Sequence, residues 1–458
     1  MGTVGISFGS ATSGAGFDVT STVNSILAIQ QGIETPWKTQ LTTLAAQDTA
    51  FTQIGTDLAT LSTSLSALTN FDGVLAQKLG SSSDENVLAI TSASTSAVAG
   101  SHTITVTQLA QTSSVYTNEI ANKGDTLSGT LTLQVGSGAA QTITLDSTNN
   151  TLVSLATAIN TGNYGVQASV VTDANGSRLS LVSQTSGAGG QLSTTGSALT
   201  DSTTNAAMDI SVGQTGQDAK LNVDGIDTTS GSNTVTNAIP GVTFQLLSAP
   251  VGAQVQVQIT NDNSAIETAM QAVVTAYNTV ASDLKTQEGN TSTGAAEPLF
   301  GDPTLSLIQD QLSSALFQGA ASGSIKGITD LGLEVNESGQ LTFTPSTMDA
   351  ALNANFNDVA GFLQTAGSFG QSFTTTLNQM GNSSTTGAVS LALQQNSTEE
   401  AALNTNISNE ETLIATQKTA LTTELNKANE TLQSIPSQLD EVNELYASFT
   451  GYNTNTGS

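Results

Sequence analysis

Cysteine is absent from this sequence, and its absence removes several classes of chemistry. None of the 458 residues is Cys, so disulfides, thiolate nucleophiles and cysteine-based zinc sites are excluded. Even cytosolic enzymes of this length usually keep a few cysteines. The composition therefore suits a protein that works outside the cell, or one that crosses a secretion channel unfolded.

Charge is scarce, and positive charge above all. Charged residues make up 10% of the chain, whereas about 25% is usual in soluble domains. Lys and Arg together number 9 against 37 Asp and Glu, which gives a net charge of -28, and Arg178 is the single arginine. Because phosphates are neutralised by clustered Lys or Arg, this composition disfavours nucleic acid and anionic membranes as partners.

Long apolar runs are also missing. No stretch approaches the roughly 18 apolar residues that a membrane-spanning helix needs, so we expect no membrane insertion. Residues 1–19 lack the basic start and apolar core of a secretory signal peptide. A composition typical of extracellular proteins, combined with this N-terminus, predicts a dedicated export route.

The residues that usually carry catalysis are sparse. His102 is the only histidine, and strand alternation places it on one face with Ile104, so we interpret it as structural. The turns at 173–176 and 224–225 faintly resemble calcium loops but lack the ligand series, and no phosphate-cradling Gly-x-x-x-x-Gly-Lys-Ser/Thr motif occurs. We therefore predict no enzyme, no metal site and no cofactor.

Apolar residues spaced seven apart occur at both ends of the chain. This spacing places them on one stripe of a helix, and such a stripe needs a partner helix. The simplest interpretation is an intramolecular antiparallel helix pair formed by residues 40–70 with 388–420. Its predicted core consists of Trp37, Leu44, Phe51, Leu58, Leu65, Ile407 and Ile414.

The outermost parts of these series have no evident partner within the chain. Gly32 and Pro36 interrupt the N-terminal series, and Pro436 is expected to kink or break the C-terminal helix. We therefore predict that both ends order only against other subunits. The predicted assembly interface consists of Val23, Ile26, Leu27, Leu421, Leu425, Leu432, Leu439, Val442, Tyr446 and Phe449.

The middle of the chain is typical of strands and turns. A β-β-α-β-β order between 124 and 190 predicts a small α+β insertion, and the Ser/Thr/Gly-rich stretch 190–215 is expected to be a connection. We predict an α+β multidomain chain in which a coiled-coil helical stalk from both chain ends carries β-rich head domains. The predicted domains are 1–40 with 421–458, ordered on assembly; 41–72 with 265–420, helical with a β-hairpin; 73–123 with 205–264, β-rich; and 124–204, the insertion.

Several segments, in this order, resemble the flagellar filament cap protein family, also called flagellar hook-associated protein 2. The insertion is similar to one shared with flagellin-type proteins. No single segment is decisive, but the ordered set covers nearly the whole chain. The segments are GAGFDV at 14–19, GSHTITVTQLA at 100–110, TLVSLATAIN at 151–160, VDGI at 223–226, IPGVTF at 239–244, AYN at 276–278 and PLFGDP at 298–303.

This resemblance implies a structural capping and assembly factor at the distal tip of the bacterial flagellar filament. It implies a pentamer-like ring of identical subunits that promotes flagellin folding and insertion and prevents flagellin loss. It also implies secretion by flagellar type III export, with flagellin, hook–filament junction proteins and a cytoplasmic export chaperone as partners. Family members commonly carry a basic, aromatic chaperone segment near the C-terminus, and residues 435–439 and 451–458 differ from it.

Two other functions remain open on the sequence. The chain is also compatible with a surface adhesin or binding module that engages a glycan or a host protein through its β-rich head. A flagellin-related filament or junction subunit is the other alternative. A closed ring distinguishes a cap from such a subunit, which would form an open helix.

Overall fold

The chain folds into two compact units. The computed structural model describes residues 15–319, 323–381 and 384–451. Of the described residues, one unit contains those up to Thr69 and from Ala269 onward, and the other spans Asn70–Thr268. The first is mainly helical and the second is mainly antiparallel sheet, so the fold is α+β, as the sequence predicts.

The helices begin and end where the sequence supplies caps. The side chain of Asp18 accepts the backbone N–H of Ser21 at the start of α1, and Asp302 accepts that of Thr304 at the start of α5. The described helices are α1 (Val19–Gln31), α2 (Glu34–Thr69), α3 (Leu152–Thr161), α4 (Asn263–Gln287), α5 (Pro303–Leu316), α6 (Pro345–Gln364), α7 (Phe369–Met380) and α8 (Ala388–Thr450).

Helix α2 supplies the central stripe of the helical unit. Phe51, Ile54, Leu58, Leu61 and Leu65 alternate three and four residues apart, and each is at most 1% exposed. Helix α2 packs against α7 and α8. The spacing of the stripe keeps one helix face apolar over four turns, which is the pattern that needs partner helices.

Helix α8 runs unbroken from Ala388 to Thr450, with Pro436 inside it. Of the expectation that Pro436 kinks or breaks this helix, the break is therefore wrong. Proline removes one backbone N–H and crowds one carbonyl, whereas the turns on either side keep their own hydrogen bonds. A helix of 63 residues tolerates that single loss.

The helical unit also contains the predicted hairpin. Strands β18 (Leu333–Val335) and β19 (Leu341–Phe343) pair antiparallel. Asn278 of α4 fixes the hairpin, because its side chain donates to the carbonyl of Leu341 at 2.9 Å and accepts the N–H of the same residue at 2.7 Å. Of the helices in the described residues, none has the length and apolar character needed to span a bilayer.

The second unit contains two hydrophobic cores. Phe244, Ile104 and Val257 lie at the centre of the first core and are inaccessible to solvent. Its sheets have the strand orders β1-β17-β3-β13-β14 and β15-β16-β2. The strands are β1 (Lys78–Ser82), β2 (Leu88–Ala93), β3 (Gly100–Gln108), β13 (Ala219–Val223), β14 (Ile226–Ser230), β15 (Thr234–Ile239), β16 (Val242–Leu246) and β17 (Gln254–Asn261).

The second core is formed by α3 and two further sheets, in the orders β11-β10-β5-β6, with β9 on β5, and β12-β4-β8-β7. Leu131, Leu155 and Leu179 lie at its centre. Its strands are β4 (Thr112–Thr117), β5 (Leu127–Val135), β6 (Gln141–Thr144), β7 (Val166–Thr172), β8 (Ser177–Ser186), β9 (Leu192–Ser193), β10 (Ala198–Asp201), β11 (Ala206–Met208) and β12 (Ile210–Gln214).

The extent of this insertion differs from the predicted 124–204. Val115 of β4 and Met208 of β11 are both buried in the second core, so the packed region reaches beyond both predicted limits. Residues 190–215 contain β9–β12 and are not merely a connection, which corrects that expectation. None of the Ser and Thr residues in this stretch is buried, whereas Leu192 and Leu199 belong to the core.

Candidate assembly surface on the terminal helices

The first helix docks onto the long C-terminal helix of the same chain. Val23 and Leu27 of α1 pack with Ile414 of α8 in one hydrophobic cluster. The half-buried Leu421 and Leu425 flank this cluster. The cluster is small, so α1 is held by few apolar contacts.

A polar clasp closes the start of this contact. The backbone N–H of Phe17 donates to the side-chain oxygen of Asn429 at 2.9 Å. Gly16 has a φ of +66°, and a Cβ at this position would overlap the Asn429 side chain. Glycine is therefore required here both by its backbone conformation and by the close approach of α8.

The placement of α1 corrects part of the predicted assembly interface. Val23 and Leu27 were expected to face other subunits, but both are buried inside their own chain. Ile26 is half-buried on the same helix. Because α1 runs antiparallel to α8, Phe17 meets Asn429 while Leu27 lies in the cluster with Ile414, and the stripe finds an intramolecular partner.

The predicted helix pair lies along α2 and α8. Leu44, Phe51, Leu58 and Leu65 of α2 and Ile407 and Ile414 of α8 are buried, whereas Trp37 is half-buried. The amide of Asn396 donates to Asp48 at 2.7 Å across the two helices, and Gln40 donates to Glu399. The antiparallel helices are therefore joined by an apolar seam and by hydrogen bonds from side-chain amides to carboxylates.

Charge is concentrated where α2 begins. The buried carboxylate of Glu34 lies 2.6 Å from the ammonium of Lys38, and Glu411 of α8 lies 3.8 Å from the same ammonium. The hydrogen bond to Glu34 raises the pKa of Lys38 above its ordinary value. These groups lie beside Gly32, which separates α1 from α2. The connection between the two helices is therefore polar.

The last turns of α8 carry an exposed apolar stripe. Leu432 is half-buried, and beyond it Leu439, Val442, Tyr446 and Phe449 are between 45% and 84% exposed. Leaving such side chains in water forgoes about 1.5–3 kcal/mol each relative to burial. Contiguous exposed apolar surface of this kind marks an interaction site. We refer to Leu439, Val442, Leu445, Tyr446 and Phe449 as the distal stripe.

Leu445 is a member of the distal stripe that the sequence reasoning missed. It is 59% exposed and lies three residues after Val442 and four before Phe449, so it shares their face. The seven-residue count passed over it because it is adjacent to the heptad position of Tyr446. A search for three- and four-residue spacing would have found it.

The only histidine has a structural role. Its Nδ1 lies 2.7 Å from Oδ2 of Asp224, and the other oxygen of Asp224 accepts the N–H of Thr103 at 2.8 Å. These hydrogen bonds, that from His102 first, lower the pKa of Asp224. The pair ties the β13–β14 turn to β3. Across the ranges that the structure describes, no cluster of three or more His, Asp or Glu side chains is arranged to hold a metal ion.

Comparison with protein families gives two matches in the order of the chain. Residues 15–113 match the model described as flagellar hook-associated protein 2 N-terminus. Residues 216–451 match the model described as flagellar hook-associated protein 2 C-terminus. The unmatched stretch between them contains most of the second core of the sheet unit.

Individual proteins agree with this pattern. The chain is 30% identical over 378 residues to the B-type flagellar hook-associated protein 2 of Pseudomonas aeruginosa, covering 75% of this chain and 78% of that one. It is 29% identical to flagellar hook-associated protein 2 of Escherichia coli K12, covering 76% of this chain and 79% of that one.

A solved structure is similar as well. The D1-D2-D3 domains of the flagellar cap protein FliD from Escherichia coli match with a TM-score of 0.58 and 26% identity, over 76% of this chain and 99% of that one. Two ordered family matches, a relative at 30% identity over three quarters of the chain and this shared fold lead to one conclusion. The chain belongs to the flagellar hook-associated protein 2 family, whose members are structural flagellar proteins and not enzymes, as the sequence predicts.

Proposed function

We propose that this protein caps the distal end of the bacterial flagellar filament, promotes the folding and insertion of flagellin beneath it, and prevents flagellin loss. The similar Escherichia coli structure is that of a flagellar cap protein, and the family match extends to residue 451. The comparisons give no support to the adhesin alternative.

The distal stripe is the observation that carries this proposal. It lies at the end of α8, beyond the part that α1 and α2 cover. Asp440, Glu441 and Glu444 are interspersed with it and exposed, so the surface is apolar with an acidic rim. We propose that this surface contacts neighbouring copies in a pentamer-like ring and flagellin in the filament below.

The cap would move stepwise because its ring and the filament below differ in symmetry. Such a ring cannot satisfy all its contacts at once, so one gap stays open. Filling that gap with a new flagellin subunit shifts the ring by one step. The weak apolar docking of α1 and the low charge of the helices favour contacts that break and re-form.

Export and location follow from the same proposal. A cap at the filament tip must leave the cell through the flagellar type III route, which requires no signal peptide. The absence of cysteine suits passage of an unfolded chain, because no disulfide can form on the way. Hook–filament junction proteins and an export chaperone are the further partners that we propose.

The test replaces one residue of the distal stripe. We expect Val442→Asp to abolish filament growth while both compact units stay folded, because the substitution places a charge where an apolar contact is needed. Asn443→Asp is the matched control, since Asn443 is exposed on the adjacent position and gains the same charge without losing an apolar side chain. Normal motility of the Val442→Asp strain would overturn the proposal.

A further inference from the structure

The two cores of the sheet unit are joined by two short stretches of chain. Residues 109–111 lead from β3 of the first core into β4 of the second, and residues 215–218 return from β12 to β13. Gln111 and Gln217 pair across these stretches, because each donates its backbone N–H to the carbonyl of the other, at 2.8 Å and 3.1 Å. The pair lies between the β13–β3 and β12–β4 ladders. A two-stranded ribbon therefore runs from one core into the other.

Side-chain amides from both cores hold this ribbon. Asn233, which lies between β14 and β15 of the first core, accepts the N–H of Ala110 at 2.7 Å and donates to the carbonyl of the same residue at 3.0 Å. Gln191, which lies beside β9 of the second core, donates to the hydroxyl of Ser113 at 3.0 Å and accepts the N–H of Gly216 at 2.9 Å. The outgoing stretch is therefore bonded to the first core, and the returning stretch is bonded to the second.

The segment that follows β8 joins the two cores directly. The carboxylate of Asp218, at the start of β13, accepts the N–H of Ala188 at 2.7 Å. The hydroxyl of Ser186 donates to the carbonyl of Gly231, which lies between β14 and β15, at 2.7 Å. Gly187 lies between these two bonds with a φ of +82°, and a Cβ there would lie 2.6 Å from atoms of Asp218 and of Gly231. Only glycine permits so close an approach of the two backbones.

Relative motion is the usual behaviour of domains that share a small interface, and it needs residues that are free to change φ and ψ. At this junction the backbones of Gln111 and Gln217 are paired, and Gly187 is confined by its neighbours. We propose that the sheet unit is one rigid body, in which the second core moves with the first. Asp218 and Asn233 are the positioning residues that lock the junction. Every surface of the insertion is then held at a fixed place relative to the first core.

The experiment measures the distance between two spin labels, one on each core. Because the chain has no cysteine, two introduced cysteines are its only labelling sites. The inter-core pair is Ser169→Cys with Thr229→Cys, at exposed positions on β7 and β14. The reference pair is Ser81→Cys with Thr229→Cys, at exposed positions on the two edge strands of one sheet in the first core. Double electron–electron resonance of the full-length protein, diluted with unlabelled protein, gives the distance distribution of each pair.

We expect the inter-core distribution to be as narrow as the reference, and a broader one would overturn the rigid body. Asp218→Ala combined with Asn233→Ala should broaden the inter-core distribution and leave the reference unchanged. Asp218→Asn alone should keep it narrow, because its side-chain oxygen still accepts the N–H of Ala188. An unchanged inter-core width in the double variant, or equal broadening of both pairs, would overturn the positioning role of the two residues.

Discussion

Removing one buried leucine should release α1 from α8 without unfolding the rest of the protein. Leu27 is 2% exposed and belongs to a cluster with Val23 and Ile414. Leucine-to-alanine changes cost about 2–5 kcal/mol in well-packed cores. This cluster is small and bordered by half-buried residues, so we expect Leu27→Ala to cost about 2 kcal/mol, the lower end of that range.

Amide hydrogen exchange measures this loss directly. A cost of about 2 kcal/mol corresponds to about a 30-fold increase in the open population, so the amides of α1 should exchange about 30 times faster while those of α2 keep their rates. Ile29→Ala is the matched control, because Ile29 lies on the same helix and is 71% exposed. Unchanged exchange in Leu27→Ala, or equal acceleration in both variants, would refute the docking of α1.

Two further substitutions test local features. Gly16→Ala places a Cβ at a positive φ and against Asn429, so it should destabilise the contact between the start of α1 and α8 by about 1–2 kcal/mol. Proteolysis at the start of α1 should then be faster, and an unchanged cleavage rate would contradict the clasp. Because the pKa of Asp224 is lowered, its bonds to His102 and Thr103 stabilise the sheet unit above its ordinary pKa and are lost as pH falls through the lowered one. Asp224→Asn should therefore flatten the acid dependence of the Thr103 amide resonance, and a wild-type profile in the variant would contradict this.

The seven-residue spacing predicted the helices well but did not identify their partners. Spacing shows that Leu27 lies on an apolar stripe, yet it carries no information on whether the covering helix belongs to the same chain. The antiparallel course of α1 along α8, fixed by the bond from Phe17 to Asn429, decides the matter. Such a contact joins residues 412 positions apart, which no local pattern encodes.

Short strands were the other feature that the sequence did not predict. Strands β9–β12 are two to five residues long. Alternation of apolar and polar residues over so short a stretch does not distinguish a strand from a loop.

The central claim is that the distal stripe joins copies of this chain into a closed ring. The most direct test counts subunits in the purified wild-type protein by mass photometry, with negative-stain imaging of the same sample. We expect closed rings of one fixed subunit number for wild type and for Asn443→Asp, and monomers for Val442→Asp. Open helical fibres from the wild-type protein, or intact rings from Val442→Asp, would contradict the claim.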